Sequence, residues 1–470
     1  MKEPRLSKEE YDKILPVTLL PPIVGYLIDR LAGNELNDAI NSIHMDLDIS
    51  KNSLYEFIRK IIDNEHFLRM KFQSTTVLLP PYLLTKNSNH GRIISLTDFH
   101  PLDNFIKKRP AFPLFISLMI TSKCQTDCVY CYADKSRKDD LDIETILGVI
   151  DQAYTEGALY MNISGGDIFA MKEWRKVLKK LYKCNLQPFI STKIPLKEAD
   201  IIFLKETGVE RIQFSIDSFL SDEINLIVRR DKEYPEQVKN TFSLLKKYGI
   251  LLELKSVITK YNSTLKSVRN TLEIFENFSD IIQSWNITPA FYSEFKGNYS
   301  NYQATDNALG NILELIAGVE SPIPVIKRNL ENKLHISKIP YMDDNDFVCK
   351  NRNCVANTYS MAIMSNGKST LCEMMYYNQN FYTGDIKNST IKEIWNSDLS
   401  LKFFAPKQNE IVNTENNPCF TCKLFEKCKT QNYKKICYVD VVKVFGPQRY
   451  DYPDPHCPKA PTHNPELLLY

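Results

Sequence analysis

Three cysteines within eight residues, Cys124, Cys128 and Cys131, follow directly on an apolar run from Pro113 to Ile120. No other feature constrains the chain as much. The run has strand length, so the thiols occupy a loop just past a strand's C-terminal end, where α/β barrels carry their chemistry. A structural zinc site closes its shell with four ligands. Here there are three, and no histidine stands close by in sequence. Three thiolates on a 4Fe–4S cluster leave one iron open to a small molecule. Tyr130, between the second and third thiols, can shield such a cluster and pack on a ligand.

The chain has twelve cysteines in 470 residues. No apolar run approaches the roughly 18–20 residues of a spanning helix, and the charged first residues do not make a secretory signal. The expected location is therefore the cytoplasm, where thiols stay reduced and metal is the better use for them. Lys plus Arg total 59 and Asp plus Glu 57, a net charge of +2. That balance gives no drive toward nucleic acid or anionic membrane, and neither is expected as a partner. Cys184 stands alone in the tail of an apparent helix and reads as a buried small hydrophobe.

The pattern Cys124-x3-Cys128-x-Tyr130-Cys131 resembles the signature of the radical S-adenosylmethionine (radical SAM) superfamily. The resemblance implies a cluster whose open iron binds the amino and carboxylate groups of SAM. It also implies reductive cleavage of SAM to a 5′-deoxyadenosyl radical that abstracts hydrogen from substrate.

Six strand candidates run in order: Leu114–Ile120, Tyr160–Ser164, Gln187–Ser191, Arg211–Asp217, Leu251–Thr259 and Ser284–Thr288. Helical patterns separate them. Asp142 can cap a helix with apolar Ile143, Ile146, Leu147, Ile150 and Tyr154. Val238, Phe242, Leu245 and Tyr248 form a second stripe closed by Gly249. Strands alternating with helices imply parallel pairing. Six βα units across about residues 111–310 match the partial (β/α)6 TIM-type barrel of the family.

Ser164-Gly165-Gly166-Asp167 ends the second strand. The glycines let backbone approach a ligand closely. By resemblance this is the G-G-E-P position that contacts the SAM amino group, with Asp167 in place of Glu and Ile168 in place of Pro. In the fourth strand Ser215 and Asp217 alternate with Phe214 and Ile216 and share one face. The family carries an S-x-D pattern there, with the Ser near the SAM ribose or carboxylate. An Arg about a dozen residues on grips the carboxylate. Arg229 and Arg230 are the candidates. Ser191-Thr192 is a further candidate ribose contact. No catalytic acid or base is identified.

Eight cysteines lie in the last third. Cys354-x12-Gly367-x4-Cys372 spans a hairpin, Tyr359–Met364 and Ser369–Glu373. Its turn, Asn366-Gly367, tolerates positive φ at both positions. Cys419-x2-Cys422-x5-Cys428 follows, then Cys437 and Cys457. This resembles the SPASM domain, an auxiliary-cluster module of peptide- and protein-modifying radical SAM enzymes. Gly384-Asp-Ile386 and Ile394-Trp395-Asn396 resemble its G-x-I and I-W-N stretches. The interval from Cys428 to Cys437 is eight residues where the pattern has three, which an insertion explains. The resemblance implies one auxiliary 4Fe–4S cluster on Cys349, Cys354, Cys372 and Cys437. A second would sit on Cys419, Cys422, Cys428 and Cys457, giving three clusters in all. The alternative is a pair of four-cysteine zinc sites in a loop-rich tail.

Residues 1–109 carry helical patterns at Pro22–Leu31 and Glu35–Met45. A helix capped by Ser50 would bury Leu54, Phe57, Ile58, Ile61 and Ile62, and an extended stretch runs from Phe72 to Leu84. The expected fold is a small winged-helix-like module that captures a precursor's leader peptide by strand addition, or else a helical cap on the barrel. The expected domains are residues 1–109, the barrel at 110–310, a bridge at 311–345 and the auxiliary-cluster domain at 346–470. The resemblance implies a maturase of ribosomally made, modified peptides (RiPPs), an oxidoreductase that installs a thioether or other crosslink in a precursor of leader plus core. A low-potential donor of flavodoxin or ferredoxin type would supply its electrons. The alternatives are an anaerobic sulfatase-maturing enzyme forming formylglycine and a zinc-stabilised interaction protein.

Overall fold

The computed structural model describes residues 36–47, 50–52, 54–55, 68–72, 75–79, and most of 112–336 and 356–461. All six expected barrel strands are present: β3 (Phe115–Thr121), β4 (Tyr160–Gly165), β5 (Pro188–Thr192), β6 (Arg211–Ser215), β7 (Leu251–Ile258) and β8 (Ile282–Pro289). Each pairs in parallel with the next. Helices follow the strands because polar–apolar periodicity switches from two to near four between them. Asp142 accepts from the Thr145 amide at 2.8 Å and starts the helix Ile143–Glu156. Gly249, at φ 63°, ends the helix Tyr234–Tyr248, whose Val238, Phe242 and Leu245 are buried.

The core lies between sheet and helices. Phe242 packs edge-on against Phe214 at 5.3 Å, and Phe275 against Trp285 at 5.2 Å. Full burial of one such side chain contributes roughly 1.5–3 kcal/mol. Cys184 is buried in this core, as expected.

The sheet extends past the six strands. Beyond β8 lies β9 (Val325–Ile326), again parallel. On the other side β3 pairs in parallel with β10 (Ser360–Ile363), at register Met361↔Ile116 and Ile363↔Leu118. Then β11 (Lys368–Thr370) and β12 (Gly384–Asp385) follow, both antiparallel. The order is β12-β11-β10-β3-β4-β5-β6-β7-β8-β9, a curved and unclosed sheet. The expected hairpin is therefore real, and it is also the continuation of the barrel sheet.

Its turn differs from the expectation. The Gly367 amide donates to Met364 O at 2.9 Å, and Gly367 alone takes positive φ, at 90°. Asn366 keeps an ordinary φ, and its side chain accepts from the Lys368 amide at 3.0 Å. That is the longer hairpin loop with a single left-handed glycine.

In the N-terminal region the structure describes a helix, Leu36–Leu47, and an antiparallel hairpin of β1 (Leu68–Phe72) and β2 (Thr75–Leu79). Ala39, Ile40, Ile43 and Leu54 are buried. The expected Pro22–Leu31 helix, the stripe from Phe57 to Ile62, and Cys349 and Cys354 lie outside the described residues. Among the described residues no helix is long and apolar enough to cross a membrane.

Candidate active site

The cysteine loop leaves β3 at Thr121 and is clamped on three sides. From β4, the Gly166 amide donates to Thr121 O at 2.7 Å and the Asp167 amide to Lys123 O at 2.8 Å. Helix Ser221–Val228 presents its last carbonyls, and the amides of Asp127 and Val129 donate to Val228 O and Ile227 O. The segment after β8 closes the third side. There Ser293 Oγ donates to Cys131 O at 2.7 Å and Lys296 pairs with Asp127 at 2.6 Å. A cluster-bearing loop must hold its ligands in place, and this one is held by the ends of two barrel strands and a helix.

The glycine pair is fixed by this clamp. A Cβ on Gly166 would lie 1.9 Å from Lys123 O, and one on Gly165, at φ 147°, 2.2 Å from Thr121 O. The close approach these glycines permit is to the chain's own cysteine loop, as well as to the cavity that they line.

That cavity measures about 440 Å³. Cys124, Cys128, Cys131, Tyr130, Gly165, Gly166, Asp167, Ser191, Thr192 and Ser215 all line it, so the structure brings most of the expected site residues together. Asp167 is buried and accepts three hydrogen bonds. Its Oδ1 accepts from the Phe169 amide at 3.0 Å, and its Oδ2 from Thr192 Oγ1 at 2.7 Å and the Lys193 amide at 3.1 Å. Burial raises its pKa to about 6 against the pull of those bonds. Burial likewise pushes the Cys128 thiol up to about 11, with the Lys193 charge opposing. Ser191 and Ser215 both accept from Gln213 Nε2, at 2.7 and 3.3 Å.

Asp217 is placed differently. It is 3 % exposed and does not line the cavity. Its Oδ2 accepts from Tyr130 OH at 2.6 Å and Lys193 Nζ at 2.8 Å, and its Oδ1 from the Val257 amide at 2.9 Å. It therefore acts through Tyr130 and Lys193. Of the two arginines, Arg229 is exposed, in a left-handed conformation at φ 61°. Arg230 is half-buried and donates from Nη1 to Gln125 O within the cysteine loop at 3.2 Å. Its guanidinium lies 5.5 Å from the Tyr234 ring centroid, and its Nε is buried without a partner.

Three charged residues of the cavity escaped the sequence reading. Lys193 follows β5, Lys255 lies on β7, and Glu373 reaches in from the C-terminal region directly after Cys372. Glu373 Oε2 accepts from Ser117 Oγ at 2.9 Å and Ser164 Oγ at 3.0 Å. The signals were present: an acid adjoining a candidate ligand, and a lysine at the inward parity of an apolar strand.

In the C-terminal region Cys419, Cys422, Cys428 and Cys457 act on one another electrostatically. Burial raises Cys428 to about 12 and Cys457 to about 11. The charge of Lys429, 8 % exposed, opposes the shift at Cys428, and its ammonium donates to Asp451 O at 3.2 Å and Tyr452 O at 3.3 Å. Among the described residues no three Cys, His, Asp or Glu side chains converge closely enough to hold a single metal ion. Cys437 heads the helix Tyr438–Phe445, and Cys372 and Cys437 border the same apolar cluster around Phe381.

Sequence comparisons agree with this layout. Residues 118–273 match the radical SAM superfamily and residues 354–423 the iron–sulfur cluster-binding (SPASM) domain. The chain thus carries a radical SAM domain and a SPASM domain, and these domains imply SAM and iron–sulfur clusters as cofactors. A probable GTP 3′,8-cyclase of Methanothermobacter marburgensis is 27% identical over 135 residues, 28% of this chain and 43% of that protein. The antilisterial bacteriocin subtilosin biosynthesis protein AlbA of Bacillus subtilis is 25% identical over 154 residues, 32% of this chain and 34% of that protein. The chain spans about half the length of the first curated relatives it matches. In fold it is similar to Streptococcus suis SuiB bound to precursor peptide SuiA. That likeness has a TM-score of 0.54 at 16% identity and covers 92% of each chain.

Proposed function

We propose that this chain is a peptide maturase that abstracts hydrogen from a residue of a ribosomally made precursor and installs a thioether or other crosslink. The observation that carries this is Glu373. It lies next to Cys372, a candidate auxiliary-cluster ligand, and it stands in the same cavity as the three-cysteine loop. One cavity is thus bordered by both halves of the machinery that an oxidative crosslink needs. The precursor-modifying relatives support the same reading.

In this proposal Cys124, Cys128 and Cys131 hold the SAM-binding cluster. Gly165, Gly166, Asp167, Ser191 and Ser215 line the SAM site, and Arg230, clamped on the cysteine loop, is a better candidate than Arg229 for the carboxylate. Asp217 positions Tyr130 and Lys193. SAM on a reduced cluster supplies hydrogen-atom abstraction. Cys349, Cys354, Cys372 and Cys437 hold one auxiliary cluster, and Cys419, Cys422, Cys428 and Cys457 the other. Either set can take up the electron that crosslinking leaves behind. Residues 1–109 bind the leader, and a flavodoxin- or ferredoxin-type donor reduces the protein.

The test uses the full chain, reconstituted anaerobically, with SAM, reductant and deuterated copies of the short peptides encoded beside its gene. Deuterium in 5′-deoxyadenosine, with a peptide lighter by about two hydrogens, is expected. Peptide-independent SAM cleavage alone, with every such peptide left intact, refutes the reading.

A further inference from the structure

One level of the cavity holds a charged group that the fold does not satisfy. Ser215 and Lys255, which line the cavity, are register partners on β6 and β7, and Asn286 of β8, outside the lining, is the next partner. Lys255 lines the cavity, and its ammonium makes no hydrogen bond or ion pair among the described residues. Neither is it spent on Asn286, whose Oδ1 is buried with no partner. The cavity's other lysine, Lys193, is by contrast paired with Asp217 at 2.8 Å. Burial lowers the Lys255 pKa, and the charge of Glu373 opposes that shift.

Glu373 stands on the other wall. It is held by Ser117 of β3 and Ser164 of β4, with β5 and β6 between β4 and Lys255 on the curved sheet. Both hydroxyls bond Oε2, which leaves Oε1 without a bond among the described residues. The cavity therefore offers a donor on one wall and an acceptor on the other.

Unpaired buried polar groups cost free energy until something pairs them. An ammonium ligand would be repelled by Lys255, and a carboxylate by Glu373. A trans amide carries its C=O and N–H on opposite sides, and it satisfies both walls without adding charge. We propose that this level of the cavity binds a backbone amide of the substrate, its oxygen accepting from Lys255 and its N–H donating to Glu373. The charges then also set the direction in which the peptide crosses the cavity. This deepens the peptide-modifying reading and rests on it.

The probe is N-methylacetamide, a single trans amide, compared with its ester counterpart, methyl acetate, which lacks the N–H. Binding to the reduced, reconstituted full chain with SAM is read as paramagnetic broadening of the probe's methyl resonances. The amide should broaden more than the ester. Lys255→Met should weaken amide binding about tenfold or more, Lys255→Arg should restore most of it, and SAM affinity should change less than about twofold. Equal amide binding by wild type and Lys255→Met would overturn the proposal, and so would no preference over the ester. Loss of SAM affinity in Lys255→Met would assign the lysine to the cofactor instead. A wild type that broadens neither probe yet transfers deuterium from a peptide refutes this subsite alone. Amide binding with no peptide ever attacked refutes the maturase reading and leaves the subsite standing.

Discussion

The two cysteine-bearing regions are built by opposite strategies. The loop after β3 puts three thiols on the wall of a cavity of about 440 Å³ and takes its rigidity from barrel strand ends. The C-terminal group puts four thiols among short helical turns, Pro418–Thr421 and Phe425–Lys429, with a buried lysine between them. On the proposed assignment, three ligands beside open space suit a cluster that must accept a small molecule. Four ligands and a counter-charge suit one that passes electrons and stays closed. Ligand number and local charge, more than cysteine spacing, would then separate the two roles.

The harshest way to break the comparison is to delete one side. Replacing Cys124, Cys128 and Cys131 together by Ala should remove about four of about twelve irons per reconstituted chain and abolish SAM cleavage. Iron analysis and 5′-deoxyadenosine assays read this directly. If the triple variant also loses the C-terminal irons, the two regions are not independent. About two zinc ions per chain with little iron would return the zinc-stabilised interaction protein.

A second break is steric. Gly166→Ala places a Cβ against Lys123 O, where the gap is 1.9 Å. The loop must shift, at a cost of about 1–3 kcal/mol. SAM binding and the iron of the cysteine loop should both fall sharply while the C-terminal iron is retained. Wild-type SAM affinity in this variant would show that the clamp between β4 and the loop is dispensable.

Much of the first region was legible in the sequence because its signals are local. Apolar runs gave the six strands to within about two residues, and Asp142 and Gly249 marked helix ends that the structure confirms. The β10–β3 pairing was not legible. It joins Met361 to Ile116 with the other five barrel strands between them in sequence, and a parallel partner that distant leaves no trace in either segment's own pattern. Glu373 was missed for the same reason, since its place in the cavity follows from that pairing. Asp217 shows the converse error. The expected strand ran on to Asp217, whereas β6 ends at Ser215, and alternation cannot reveal that Tyr130 and Lys193 would occupy the Asp217 oxygens.

The closed side can be sharpened through its charge. Lys429 lies beside Cys419 and Cys428 and lowers the proton affinity of both. The same charge should favour the reduced form of a cluster held there. Lys429→Met should lower that cluster's midpoint potential by on the order of 100 mV, and Lys429→Arg should restore most of it. Redox titration followed by electron paramagnetic resonance measures the shift. An unchanged potential with an intact cluster would reduce Lys429 to its two carbonyl contacts.

The smallest effect belongs to the open side and concerns pH. Asp167 lines the cavity proposed to bind SAM, and burial holds its pKa at about 6. If the ionised carboxylate attracts the SAM ammonium, affinity should be steady above about pH 7 and fall as Asp167 takes up its proton through pH 6. The same shift acts on the stability of the ligand-free chain with its own sign. A carboxyl whose folded pKa lies above its unfolded value binds more protons when folded, so stability is greatest below about pH 4 and declines as pH rises toward 6. Asp167→Asn should flatten both slopes and lower SAM affinity at neutral pH by about tenfold, the loss expected for one charge-assisted contact. Calorimetric titration with SAM at several pH values separates the outcomes. If wild type and Asp167→Asn show the same slope below pH 7, the pH dependence arises elsewhere. Asp167 would then serve only to tie Thr192, Lys193 and Phe169 to the end of β4.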